Sequence, residues 1–100
     1  MAYGVALAAL SDPTRRLVFA RTLGAPRPVA AIAEGLPVSR PAVSQHLKVL
    51  KEAGLITERR SGTRRLYAAN PQALGELRAA IEAMWQEALG GMAAALEQER

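Results

Sequence analysis

The chain has 100 residues, half of them hydrophobic and 22% charged, with 13 basic side chains, 9 acidic ones, one histidine and no cysteine. That is the composition of one globular domain, and the lack of cysteine excludes a disulfide framework, a thiolate metal site and a cysteine nucleophile. No run approaches the ~18 uninterrupted apolar residues of a membrane span, so no membrane insertion is expected.

Charge is unevenly placed. Residues 1–70 carry 11 basic and 4 acidic side chains, a net +7. Residues 71–100 carry Arg78 and Arg100 against Glu76, Glu82, Glu87, Glu97 and Glu99, a net −3. A basic body joined to an acidic C-terminal segment suggests a polyanionic partner on one side only, with a solvated surface as the alternative.

Met1–Leu10 is apolar but has no basic region and runs into Ser11-Asp12-Pro13. It reads as a short helix rather than a secretory signal, and a cytoplasmic protein is expected. Ser11-Asp12-Pro13 places a capping side chain ahead of a first-turn proline, a strong helix start. Leu17, Val18, Ala20 and Leu23 then offer an apolar face before Gly24. Pro26-Arg27-Pro28 is a stiff connection to a short helix over about Val29–Glu34, with Ile32 and Ala33 inward. Gly35-Leu36-Pro37-Val38 is a turn.

Ser39 caps the next helix, which runs to about Ala53 and stops at Gly54. Val43, Leu47 and Leu50 fall on one face of it. The opposite face carries Pro41, Gln45, Lys48 and Glu52, with Ser44 on its flank. Beyond Leu55 the periodicity shortens. Ile56–Arg60 and Arg64–Ala68 flank Ser61-Gly62-Thr63, the pattern of a β-hairpin with four arginines at its tip.

Asn70-Pro71 opens the last helix. Leu74, Leu77, Ile81, Met84 and Ala88 alternate in steps of three and four, a heptad-like seam. Gly90-Gly91 is a place for a kink or an early end. Unbroken to Leu96, this helix is about 39 Å long, against a radius of gyration of ~13 Å for a compact domain of this size. A second copy is the economical cover for such a seam, so a homodimer is expected.

Two short helices joined by a glycine-containing turn, the second with a polar N-terminal half, form a helix-turn-helix. Such a second helix needs an apolar back to rest on the domain and a polar front to meet base edges in the major groove of double-stranded DNA. Ser39, Arg40, Ser44, Gln45 and Lys48 fit that front. The hairpin reads as a wing whose Arg59, Arg60, Arg64 and Arg65 suit phosphates or a narrow minor groove. The predicted fold is mainly α, a winged helix-turn-helix of about five helices plus a two-stranded β-wing. The plainer reading is a small helical bundle with a solvated polar face and a charged hairpin edge.

Leu10-Ser11-Asp12-Pro13-Thr14-Arg15-Arg16 resembles the opening signature of the ArsR family of bacterial winged-helix repressors. Val43-Ser44-Gln45-His46-Leu47-Lys48-Val49-Leu50-Lys51-Glu52-Ala53-Gly54-Leu55-Ile56 is similar to that family's recognition helix and its exit, and the Arg-rich wing ending at Leu66-Tyr67 matches as well. The resemblance covers about residues 5–90. It implies a homodimeric transcriptional repressor that binds imperfect palindromes in promoters, with a dimer built from the first and last helices. Residues 1–100 then form a single DNA-binding domain: residues 1–10 and 71–96 dimerise, 28–54 are the helix-turn-helix and 55–69 the wing. Tyr3, Leu7, Leu77, Ile81, Met84, Trp85 and Leu89 are the expected interface residues.

Many family members release DNA on binding a metal through cysteines before the turn, or through His and carboxylates on the last helix. Here Val29–Leu36 contains no cysteine and the last helix no histidine. A site of carboxylates alone is weak and poorly selective, so neither a metal nor a cofactor is expected. His46 reads as a DNA contact or helix-flank residue rather than a ligand. Trp85 followed by Ala88-Leu89 and Met92 looks like the family's autorepressor subgroup, some members of which are relieved by sequestration on a membrane partner. Met84, Trp85 and Met92 suit either interface core or a pocket for a small apolar inducer. Catalysis is not expected: His46 is the only imidazole, and no glycine-rich phosphate loop precedes a helix. A winged-helix protein-interaction module is the rival from another class.

Overall fold

The computed structural model describes residues 3–98. In chain order the elements are α1 (Tyr3–Ala9), α2 (Pro13–Ala20), α3 (Val29–Ala33), α4 (Arg40–Glu52), β1 (Ile56–Ser61), β2 (Arg64–Ala69) and α5 (Pro71–Gln98). This is the mainly helical winged architecture expected, with five helices and one antiparallel hairpin among the described residues.

Each of three helices starts where a polar side chain satisfies an otherwise unpaired backbone donor. Asp12 accepts from the Arg15 amide at 2.9 Å and Ser39 from the Ala42 amide at 3.3 Å. Asn70 accepts from the amides of Gln72 and Ala73 at 3.1 and 3.4 Å. α4 ends in a two-bond Schellman closure, with the Leu55 amide donating to the Leu50 carbonyl and the Gly54 amide to the Lys51 carbonyl. That closure needs a left-handed residue, and Gly54 supplies φ +78. The wing turns on Gly62 at φ +66, followed by a residue of negative φ, the signs of a tight II′ hairpin turn.

The core gathers around α4. Val43, Leu47 and Leu50 on its inner face meet Val18 of α2, Ile32 of α3, Leu55 and Ile56 at the wing's root, and Ala6 and Ala9 of α1. Burying one such leucine or isoleucine contributes about 1.5–3 kcal/mol. Thr22 is buried too, its hydroxyl donating to the Phe19 carbonyl at 2.6 Å.

Two expectations are corrected. Of the apolar set on and after α2, only Val18 enters the core, while Leu17 and Leu23 are about half exposed and Ala20 is exposed as well. α2 is only two turns long and packs on α4 along one side, so Leu17 points away and Leu23 falls beyond the helix end. Gly90-Gly91 do not end α5, which runs through them to Gln98. Each glycine costs the helix about 1 kcal/mol relative to alanine, offset in part by the alanines and leucines around the pair.

Only the start of α5 is held by its own chain. Ala73 and Leu77 are buried, and from Ile81 onward every described residue is exposed. The molecule is accordingly elongated, 66 × 26 × 19 Å, with a radius of gyration of 17.5 Å. No helix among the described residues is long and apolar enough to cross a membrane.

Candidate nucleic-acid interface

α4 has two unlike faces because three apolar side chains recur at helical spacing and polar ones fill the gaps. With Val43, Leu47 and Leu50 pinned inward, Arg40, Pro41, Ser44, Gln45 and Lys48 are all exposed on the other side. Ser39, at the cap, is exposed as well. Ser44, Gln45 and Lys48 make no side-chain hydrogen bond among the described residues, so their donors and acceptors remain available to a partner. His46 is half-buried and lies near Asp12, off that front. The Asp12 carboxyl titrates below its usual range chiefly because it accepts the Arg15 amide, with His46 a lesser contributor.

The wing stands beside this front. Its register opposes Glu58 to Tyr67, Arg60 to Arg65 and Ser61 to Arg64. Arg59, Arg60, Arg64 and Arg65 are exposed. A cleft of about 440 Å³ lies between the first turn of α4 and the wing, with Arg40, Pro41 and Ser44 on one side and Arg64, Arg65 and Tyr67 on the other. A second cleft of about 320 Å³ continues down the helix, between Ser44, Lys48 and Lys51 and the wing's Glu58, Arg65 and Tyr67. α4 and the wing therefore share one continuous surface lined by Arg40, Lys48, Lys51, Arg64 and Arg65.

Sequence reasoning missed what joins the two. Glu58 accepts from Lys51 Nζ at 2.7 Å and from the Tyr67 hydroxyl at 3.0 Å, with an Arg65 guanidinium nitrogen at 3.5 Å. The bond from Lys51 is the main reason its carboxyl stays below the usual range, against the opposing effect of burial. Burial first, then the bond to Glu58, pushes the Tyr67 phenol up. The signal was present: Ile56, Glu58 and Arg60 alternate onto one face of β1, so a buried Ile56 turns Glu58 toward α4.

The expected interface residues fall on two helices. Leu7 is half-buried against the core and Leu77 is buried within the chain, where α5 meets α1. Ile81, Met84, Trp85 and Leu89 are exposed, Trp85 by 63%. Tyr3 opens α1, and its side chain lies outside the described residues. Ile81, Met84, Trp85 and Ala88 border an open hollow of about 270 Å³ on α5.

A helix-turn-helix whose second helix presents an unpaired polar front, followed by a basic hairpin on the same side, defines a winged helix-turn-helix DNA-binding protein. A family model described as a helix-turn-helix domain matches residues 10–59. The chain is 48% identical over 91 residues to the HTH-type transcriptional regulator Rv2034 of Mycobacterium tuberculosis, spanning 91% of this chain and 85% of that one. It is 38% identical over 66 residues to the transcriptional repressor SdpR of Bacillus subtilis, spanning 66% of this chain and 73% of that one. Among solved structures it resembles an ArsR-like transcriptional regulator from Rhodococcus sp. RHA1, with a TM-score of 0.75 and 30% identity over 90% of this chain and 88% of that one. It also resembles the homodimeric winged helix-turn-helix DNA-binding domain of Mb0332 from Mycobacterium bovis. That match has a TM-score of 0.66 and 28% identity over 86% of this chain and 80% of that one. The chain belongs to the ArsR family of winged helix-turn-helix transcriptional regulators. These are DNA-binding proteins and not enzymes.

Proposed function

We propose that this protein is a sequence-specific repressor that binds a palindromic promoter operator as a homodimer, without direct metal sensing. The observation that carries the reading is the shared surface of α4 and the wing, where Ser44 and Gln45 face outward beside Arg40, Lys48, Arg64 and Arg65. Ser44 and Gln45 meet base edges in the major groove, Arg40 and Lys48 divide between bases and phosphates, and the wing arginines, Arg59 and Arg60 among them, anchor to backbone or minor groove. Ser39 caps the helix that enters the groove, and His46 flanks it.

The homodimer reading rests on α5. Met84, Trp85, Leu89, Met92 and Leu96 are all exposed along one long helix, an apolar stripe that a second copy would bury. Two-fold symmetry sets two recognition helices about one DNA turn apart, ~34 Å, and makes the operator palindromic. Repression is then occlusion of the promoter. Metal independence is supported by the chain's chemistry, with no cysteine and a single histidine that lies on α4. The hollow beside Trp85 supports a second reading, a repressor relieved by a small apolar ligand.

The test is binding of the purified protein to its own upstream DNA at about 150 mM salt, against scrambled duplex, with and without zinc and chelator. Specific binding indifferent to zinc is the expected result. Loss of binding with zinc overturns metal independence, and no preference for any duplex moves the protein-interaction reading ahead.

A further inference from the structure

Glu58 is out of place on a surface built for a polyanion. It is the one carboxylate among the residues that line the cleft between α4 and the wing, facing Ser44, Lys48 and Lys51 across it. A carboxylate there repels phosphate, so its presence calls for a compensating role. Both of its oxygens are engaged: Oε2 by Lys51 of α4, Oε1 by Tyr67 and Arg65 of β2. One side chain thus ties the last turn of the recognition helix to both strands of the wing. Its own side chain is only 17% exposed, whereas Lys51 and Arg65 are 53% and 61% exposed and would otherwise be free to reach any phosphate.

We propose that Glu58 is a positioning residue that sets the wing against the recognition helix, occupies Lys51 and competes with phosphate for Arg65, restraining non-specific DNA binding so that the α4 front decides the site. The proposal rests on the DNA-binding reading above. Affinity from phosphates is independent of sequence and each contact adds about 0.9 to the salt slope. Selectivity is the ratio of specific to non-specific binding, so engaging two cations internally raises selectivity at the expense of overall affinity.

The experiment compares wild type and Glu58→Gln on two probes, the duplex that the wild type selects from a randomised pool and poly(dI-dC), across a salt series. Glutamine keeps the shape and an acceptor for Tyr67 and removes only the charge. The variant is expected to bind poly(dI-dC) about three- to tenfold more tightly, with a salt slope steeper by about one to two. Its ratio of selected to non-specific binding falls about fivefold or more. Tyr67→Phe keeps both ion pairs and retains the wild-type slope. An unchanged slope and ratio in Glu58→Gln overturns the proposal, as do equal losses on both probes that track a lower Tm, or a steepened slope in Tyr67→Phe. A wild type that enriches no sequence overturns the DNA-binding reading and this proposal with it. A wild type that enriches one, with Glu58→Gln unaltered, overturns this proposal alone.

Discussion

The backbones of Arg27 and Tyr67 exchange two hydrogen bonds, Arg27 donating at 3.0 Å and Tyr67 donating at 2.8 Å. This single antiparallel bridge fastens the segment before α3 to the second strand of the wing. The hairpin is therefore tied at its root to the helix-turn-helix on one side and, through Glu58, to α4 on the other. Arg27→Pro deletes the donating amide while the neighbouring prolines keep the segment extended. It should lower stability by about 1 kcal/mol and speed tryptic cleavage at the wing arginines before global unfolding. Limited proteolysis beside urea denaturation checks both parts.

Base reading and phosphate anchoring should separate by mutation. Gln45→Ala is expected to cost ~1–3 kcal/mol on the selected duplex and to relax preference at one base position. Arg64→Ala should instead weaken binding to every duplex alike and make the salt slope shallower by about one. Fluorescence anisotropy on matched and mismatched duplexes distinguishes the two. A Gln45→Ala protein with untouched base preference would place the helix in the groove in another orientation.

Trp85→Glu puts a charge in the middle of the exposed stripe on α5, at a side chain outside the core cluster. The chain should still fold, since its core lies around α4. Sedimentation should show a monomer where the wild type is a dimer, and affinity for a two-half-site duplex should fall toward that for a single half-site. A Trp85→Glu protein that still sediments as a dimer removes α5 from the interface.

Acid should unfold the protein partly through two carboxyls. Glu58, held low first by the bond from Lys51, and Asp12, held low first by the Arg15 amide, both titrate below their ordinary values of 4.5 and 3.8. As pH drops through those values the unfolded chain takes up protons before the native one does, so the stabilisation they give is complete at neutral pH and lost in acid. Tyr67 has the opposite sign: raised above 10.0 first by burial, it favours the native state below that pH and stops doing so as pH rises through its shifted value. Urea midpoints against pH should fall at both ends. Glu58→Gln should flatten the acid limb and Tyr67→Phe the alkaline one.

Most of the fold was legible because its boundaries are written in residues with a single structural use. Asp12-Pro13, Ser39 and Asn70-Pro71 open helices, while Gly54 and Gly62 close or reverse the chain, and each does so through a bond or dihedral the residue type dictates. The front of α4 was legible for the same reason, since Val43, Leu47 and Leu50 leave its polar side only one way to face. Leu17 and Leu23 were misjudged because hydrophobicity says that a residue gains by burial, not that a neighbour is within reach. Strand alternation puts Glu58 on the same face as the buried Ile56, but the ion-pair network it joins there with α4 and β2 has no local signature. It becomes visible only once the hairpin lies against the helix.

From Ile81 to Gln98 every residue of α5 belongs to the exposed surface rather than the core, and Gly90-Gly91 lie within that stretch. A lone helix of this length is marginal in water, more so with two glycines. On the dimer reading, ordering of this stretch and arrival of a second chain are one event. Its thermal midpoint then rises with protein concentration, and an amount of protein becomes a state of folding. A cell holding few copies would keep monomers whose last helix is frayed and open to proteases. One holding many would keep them intact, so abundance and activity rise together and fall together.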